Sequence, residues 1–410
     1  MSTYKEPFMK NLLSLVVSVS CVFNAMAESG PLREPPSSPV ALLREPAAGV
    51  SSSLQNEATA AISRGVKWLI ARQNEEGYWS NPEFPALTAL SLWAIAKSGN
   101  APQEAVDRAV GYILASVHED GSIWRKPSEE RRGGGLSTYN TAISMVALHM
   151  VGRADLVPVI QNARRFLAGA QHFGGDVYEG GMGYDASTGR AYADLSNTML
   201  AYEAMRLTES VEDLRTGPDG KADLDWEAAR KFLARVQNLP GQNAGSWVSD
   251  DEKERGGFIY TPESSQAGTY TDAEGVVRFR TYASMTYAGL LSLIYAEVDR
   301  NDPRVQSAFD WAQRHWTLDE NPGMGKEGLY YFYNVLAKAL ATYGQDVIRD
   351  EAGNALNWRE EFIRKLVNLQ RVDADTGEGY WLNETGRWWE SDPVLVTAYS
   401  LIALEVALAD

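Results

Sequence analysis

The chain has 410 residues, 44% of them apolar and 22% charged, with a formal charge of −16 at pH 7. This composition supports a sizeable core and argues against a wholly disordered or multiply membrane-spanning chain. The acidic balance argues against nucleic acid and anionic membrane surfaces as partners, because both recruit basic patches.

The first element in chain order reads as an export signal. Lys5 and Lys10 precede the apolar run NLLSLVVSVSCVF, and Ala25-Met26-Ala27 follows it in the small-x-small pattern that a signal peptidase accepts. Residues 1–27 are expected to be removed, with Met1 or Met9 as the start, and the mature protein to be secreted or periplasmic with no transmembrane segment. Cys21 is the single cysteine and leaves with the signal, so no disulfide, thiol nucleophile or thiolate ligand is expected. Residues 28–56 are rich in Pro and Ser, lack helical periodicity and read as a disordered linker.

From Ala58 onward the pattern changes to six copies of one unit. Each has an amphipathic first helix, a Gly-aromatic turn, a variable loop and a second, more apolar helix. The first halves are RGVKWLIARQNEEGYW (64–79), RAVGYILASVHEDGSIW (108–124), NARRFLAGAQ leading to GGMGY (162–184) and EAARKFLARVQ leading to GGFIY (227–260). SAFDWAQRHW leading to GMGKEG (307–328) and EFIRKLVNLQ leading to GEGYW (361–381) complete the set. Gln73, Gln171, Gln237 and Gln370 recur near the end of this helix. The second halves, such as STYNTAISMVALHMVG and DPVLVTAYSLIALEVAL, are apolar around most of their circumference. Helices apolar all round belong inside and amphipathic ones outside. The expected fold over 57–410 is therefore all-α: an α/α toroid of six helix-pair repeats, an inner six-helix ring within an outer one. Closure leaves no repeat with an unburied face.

The Arg-Gly, aromatic-Leu, Gln and Gly-x-Trp order of the first repeat resembles the QW-type repeat of the prenyltransferase and squalene oxidase repeat families, over essentially all of 58–408. That resemblance implies a toroid like those of squalene-hopene cyclases, oxidosqualene cyclases and protein prenyltransferases, with inner-helix N-termini converging on a central cavity. In the cyclases an Asp-x-Asp-Asp-Thr segment heads one inner helix, and its middle Asp protonates the substrate. Here Asp194 and Thr198 match that template, whereas Ser196 stands at the protonating position and Asn197 at the third Asp. A neutral hydroxyl cannot protonate an alkene or epoxide. The resemblance thus implies an isoprenoid-binding cavity and leaves cyclase- or isomerase-type catalysis open. The zinc site of the prenyltransferases is not matched, because the mature chain lacks Cys and His118, His149, His172 and His315 are scattered. No cofactor or metal is expected.

Asp194 has two readings, a proton donor facing a pocket or a helix N-cap, since Asp at a helix start accepts free backbone N–H groups. Tyr139, Asn140, Ser196, Asn197, Tyr282, Tyr287, Tyr330, Tyr331, Tyr333 and Asn334, all near inner-helix starts, are the candidate substrate-binding residues. Their aromatic faces suit an isoprenoid chain or a carbocation; their hydroxyls and amides suit a saccharide. Tyr at a helix start equally serves to close a core rim. Glu327, Glu390 and Asp392 place further carboxylates near the same mouth, with Trp388 and Trp389 beside them as a stacking platform. Asp194, Glu327 and Asp392 are the candidate catalytic residues, although Asp392 before Pro393 is also a natural N-cap. A carboxylate pair across a cleft would permit glycoside hydrolysis. The long loop 238–280 has the length of a lid or partner-binding arm. The leading expectation is a secreted terpene-cyclase-like toroid holding an isoprenoid or other hydrophobic small molecule. The competing ones are a secreted carbohydrate-active hydrolase or lyase and a non-catalytic module that binds a protein or polysaccharide.

Overall fold

The computed structural model describes residues 49–128, 134–186, 191–217, 220–350 and 352–409, so the expected signal and most of the linker lie outside the described residues. Among the described residues, regular structure begins at Ser52, ahead of the boundary expected at 57, with Leu54 already buried. The helices come in pairs: α1 (Ser52–Ile70) and α2 (Pro85–Ser98), α3 (Gln103–Leu114) and α4 (Ser137–Val151), α5 (Val157–Ala170) and α6 (Leu195–Leu207). They continue as α7 (Trp226–Val236) and α8 (Ala283–Tyr295), α9 (Pro303–Arg314) and α10 (Leu329–Tyr343), α11 (Trp358–Leu369) and α12 (Pro393–Leu408). The strands form three short antiparallel hairpins, one of them, Thr269–Thr271 with Val277–Phe279, inside the long loop.

The two kinds of helix differ in burial as their sequences require. In α8 every residue from Ala283 to Tyr295 is buried, whereas α7 buries only the stripe Ala228, Ala229, Phe232, Leu233 and Val236. The apolar helices follow one another in space: α2 packs on α4, α4 on α6, α6 on α8, α8 on α10, α10 on α12, and α12 back on α2. The amphipathic helices cover them from outside, as α3 does α2 and α9 does α8. Among the described residues, no helix is long and apolar enough to cross a membrane.

The recurring Gln and Gly residues join one pair to the next. Gln73 Nε2 donates to the carbonyls of Gly77 and of Ala105 in α3. Gln171 does the same to Gly180 and Asp225, and Gln237 to Gly256 and Arg304. Gln370 donates to Ala61 of α1 and accepts from Arg64, so the last pair is tied to the first. A recurring Thr on the apolar helix anchors the same turn from within: Thr88, Thr141, Thr198, Thr286 and Thr397 accept the N–H groups of Trp79, Ile123, Met182, Phe258 and Trp381.

The turn glycines meet two constraints at once. Gly180 has φ +93°, and a Cβ there would stand 2.0 Å from the carbonyl oxygen of Ala228 in α7. Gly77, Gly121 and Gly256 sit in the same way against Arg108, Asn162 and Ser307.

The centre of the helix assembly is filled at its C-terminal end. Lys338 of α10 donates to Glu203 of α6 at 2.9 Å, Tyr295 of α8 donates to the same carboxylate at 3.2 Å, and Lys338 Nζ lies 4.2 Å over the ring of Trp93 in α2. Because α2, α6 and α10 are not neighbours in the packing order, these contacts cross the interior.

Gly180→Ala is expected to destabilise the protein by about 2–4 kcal/mol, combining left-handed backbone strain with a backbone clash. Gly99→Ala should lose only about 1 kcal/mol, because Gly99 shares the positive φ (+70°) with nothing within 4 Å of the added carbon. Urea unfolding of the two variants checks this; equal losses would show that the close approach to α7 contributes nothing.

Candidate active site

A cavity of about 330 Å³ opens at the N-terminal ends of the apolar helices. All six contribute to its wall: Phe84 and Leu87 at the start of α2, Leu136 and Tyr139 at α4, Ser196 and Leu200 at α6, Tyr282, Ser284 and Met285 at α8, Gly328 and Tyr331 at α10, Leu395 and Tyr399 at α12. The loops add Tyr184, Tyr260, Gln266, Trp388, Trp389 and Glu390. Tyr184 and Tyr260 occupy one register in two repeats, two residues beyond Met182 and Phe258, whose N–H groups the anchoring threonines hold.

The polar groups of the wall mostly satisfy one another. Ser196 Oγ and Tyr331 OH are 3.0 Å apart across the interior, and Tyr184 OH lies 3.3 Å from Tyr260 OH. Tyr139 pairs with Tyr399. Burial pushes the Tyr139 hydroxyl up to about 12 and raises those of Tyr184, Tyr260, Tyr282, Tyr331 and Tyr399 as well, so the lining presents neutral hydroxyls at physiological pH.

Asp194 is fully buried one layer behind this wall. Its Oδ1 accepts the Asn197 N–H at 2.9 Å, which makes it the N-cap of α6, and its Oδ2 accepts Asn197 Nδ2 at 2.8 Å. The Tyr192 and Tyr260 hydroxyls also face the carboxylate. Burial outweighs these donors and raises its pKa to about 6. Both readings of Asp194 therefore meet in one residue: a cap by geometry, an acid reaching the cavity only through tyrosine hydroxyls.

Glu390 is the second buried carboxylate and lines the cavity directly. It accepts the N–H groups of Tyr331 at 2.7 Å and Tyr330 at 3.2 Å and the amide of Asn383 at 2.6 Å, so it caps α10 from the following loop. Its pKa is raised by burial, with the same donors opposing. Trp388 and Trp389 lead into it with φ of +54° and +68°, a left-handed pair that turns Glu390 inward and leaves both indoles about half exposed at the rim. Trp389 meets Phe84 edge to face at 4.8 Å. Arg387 lies over the Trp388 ring, pairs with Glu327 and donates to Gln266 Oε1, tying the rim of the long loop to the loop before α12.

No family model and no curated protein matches the chain. Its fold is similar to type II terpene cyclases. One such structure is a variant of MstE from Scytonema in complex with geranylgeranyl dihydroxybenzoate, a substrate, at 14% identity over 87% of this chain and 99% of that one with a TM-score of 0.46. A second MstE variant, in complex with the product merosterolic acid A, has 14% identity over 87% and 98% with a TM-score of 0.46. A protein from Actinoplanes is similar at 16% identity over 86% and 99% with a TM-score of 0.39.

Of the residues singled out in the sequence, Tyr139, Ser196, Tyr282, Tyr331, Trp388 and Trp389 come together on the cavity wall. The others have different places. Asn140 caps the neighbouring α2 by accepting the Ala86 N–H at 2.9 Å. Asn197 turns to Asp194, and Asn334 donates to the carbonyl of Tyr399. Tyr330 and Tyr333, three apart on α10, share the face away from the cavity, where Tyr333 packs on Phe362 of α11 and donates to Leu318. Tyr287 packs on Phe332 between α8 and α10. Glu327 is held by Arg387, and Asp392 caps α12 through the Val394 N–H while accepting Ser80 Oγ; neither lines the cavity. Tyr184, Tyr260, Gln266 and Tyr399 were not anticipated from sequence. The signal for the first two was the shared register of Tyr184 and Tyr260 past the Gly-Gly turn.

The raised pKa of Asp194 gives a pH signature. The folded protein holds this proton to about pH 6, against an ordinary value of 3.8. The group's contribution to stability is therefore complete below about pH 4 and is lost as pH rises through 6. Asp194→Asn lacks this titration, and Asn197 can turn its partnerless Oδ1 toward the new amide. Between pH 4 and pH 7 the wild type should lose about 2 kcal/mol relative to Asp194→Asn, read from urea midpoints at the two pH values. Parallel pH profiles would show that the carboxylate is not held protonated.

Proposed function

We propose that the chain is a six-repeat α/α toroid, terpene-cyclase-like, that binds an isoprenoid or another hydrophobic small molecule in its central cavity. One observation carries the reading: the 330 Å³ cavity is walled by Tyr, Trp, Phe, Leu and Met side chains. Its single lining carboxylate, Glu390, is already engaged by backbone N–H groups and an amide. Concave, mostly apolar pockets with a few placed polar groups are the usual form of small-molecule sites. The packing order that returns from α12 to α2 and the Gln370–Ala61 tie support the closed ring.

Ser196, at the position of the cyclases' acid, is hydrogen-bonded to Tyr331 and supplies no proton, so ligand binding is the function proposed rather than cyclisation. A glycoside hydrolase needs two carboxylates facing one cleft; Glu327 and Asp392 lie off the cavity wall, which favours the hydrophobic ligand over a saccharide. A non-catalytic module working through its outer loops would leave this cavity without a role. The apolar segment before Ala27 supports an exported form of the protein.

Solvent extraction of the purified protein followed by mass spectrometry should recover a neutral lipid of isoprenoid type. Leu200→Trp, which places an indole in the cavity, should keep the helical circular dichroism and lose most of that lipid. Recovery of only oligosaccharide, or equal lipid from both proteins, would refute the reading.

A further inference from the structure

The charge of the ligand's head group can be read from how the cavity mouth is capped. Six helix N-termini meet there, and an uncapped helix N-terminus is a ready site for a phosphate or carboxylate. Here a side chain of the protein accepts at least one of the free N–H groups at each of the six. Asn140 holds α2 and Asn321 holds α8, through the N–H groups of Ala86 at 2.9 Å and Ser284 at 3.0 Å. Asp185 holds α4 through Ser137 at 2.8 Å, and Asp194 holds α6. Glu390 holds α10 and Asp392 holds α12. Four of the six caps are carboxylates, so a mouth that the helix dipoles alone would make attractive to anions carries acidic groups instead. Glu390 brings one of them onto the cavity wall itself. The cation at the rim, Arg387, is committed to Glu327 and Gln266.

We infer that the ligand is an uncharged isoprenoid and that the same chain bearing a diphosphate head is rejected; this rests on the hydrophobic-ligand reading above. The Ser196, Ser284 and Gln266 side chains on the wall are neutral groups suited to a hydroxyl head. A diphosphate would have to shed its water beside Glu390 and the other acidic caps.

Isothermal titration calorimetry of the full protein with farnesol, geranylgeraniol and the diphosphate of each tests this. Each alcohol should bind about tenfold or more tightly than its diphosphate. Diphosphate binding equal to or tighter than the alcohol overturns the inference and leaves the hydrophobic-ligand reading standing. Absence of binding by all four overturns that reading and the inference with it. Glu390→Gln keeps an acceptor for the α10 N–H groups and removes the charge, so it should narrow the gap between alcohol and diphosphate by about threefold or more. Asp185→Asn makes the same test on α4 should the first variant fail to fold. An unchanged gap in a folded variant would show that the acidic caps are not what excludes the anion.

Discussion

Six helix N-termini aimed at one small volume are the constraint to which the rest of the site answers. Each brings backbone N–H groups without intrahelical partners, and together they would leave a strongly anion-attracting, poorly solvated hollow. The protein satisfies them with its own side chains, and several of these come from the next unit along rather than from the helix itself. Asn140 of α4 caps α2, Asp185 ahead of α6 caps α4, Asn321 ahead of α10 caps α8, and Glu390 ahead of α12 caps α10. The caps therefore also hold neighbouring repeats in register. With an amide donor of each helix start engaged in this way, the space between the helices is lined mostly by aromatic and aliphatic groups.

The same economy appears outside the apolar helices. A single glutamine links the turn of its own repeat to the first carbonyls of the next outer helix, and the turn glycine leaves room for that helix to approach. A recurring threonine fixes the turn from the inside. These three residues explain why the pattern repeats: they are the joints of the assembly. Thr198, which falls within the segment resembling the cyclase acid motif, belongs to this set of joints through its bond to Met182.

Most of the architecture was legible in the sequence because it depends on periodicity. Helices apolar on all sides, such as α8, can only be interior, and striped ones, such as α7, can only be covers. Half of the twelve candidate substrate-binding residues lie on the cavity wall. The helix starts were identified, but which residue of each start faces inward depends on the rotation of the helix about its axis. On α10 a difference of one residue separates Tyr331, on the cavity wall, from Tyr330, which faces away. Residue type alone does not report that rotation.

The sequence by itself determined the recurring helix unit, the sorting of helices into wholly apolar and striped, the neutral Ser196 within the segment that resembles the cyclase acid motif, and the presence of carboxylates near the apolar-helix starts, because these follow from local order along the chain. Only the tertiary structure decided what those carboxylates do. Asp194, Asp392 and Glu390 are all helix caps, yet Glu390 alone also faces the cavity, and Asp194 stands behind Tyr184 and Tyr260 with its proton held by burial. Dielectric surroundings and line of access to a cavity come from segments distant in sequence packed around a residue, and a one-dimensional pattern does not contain them.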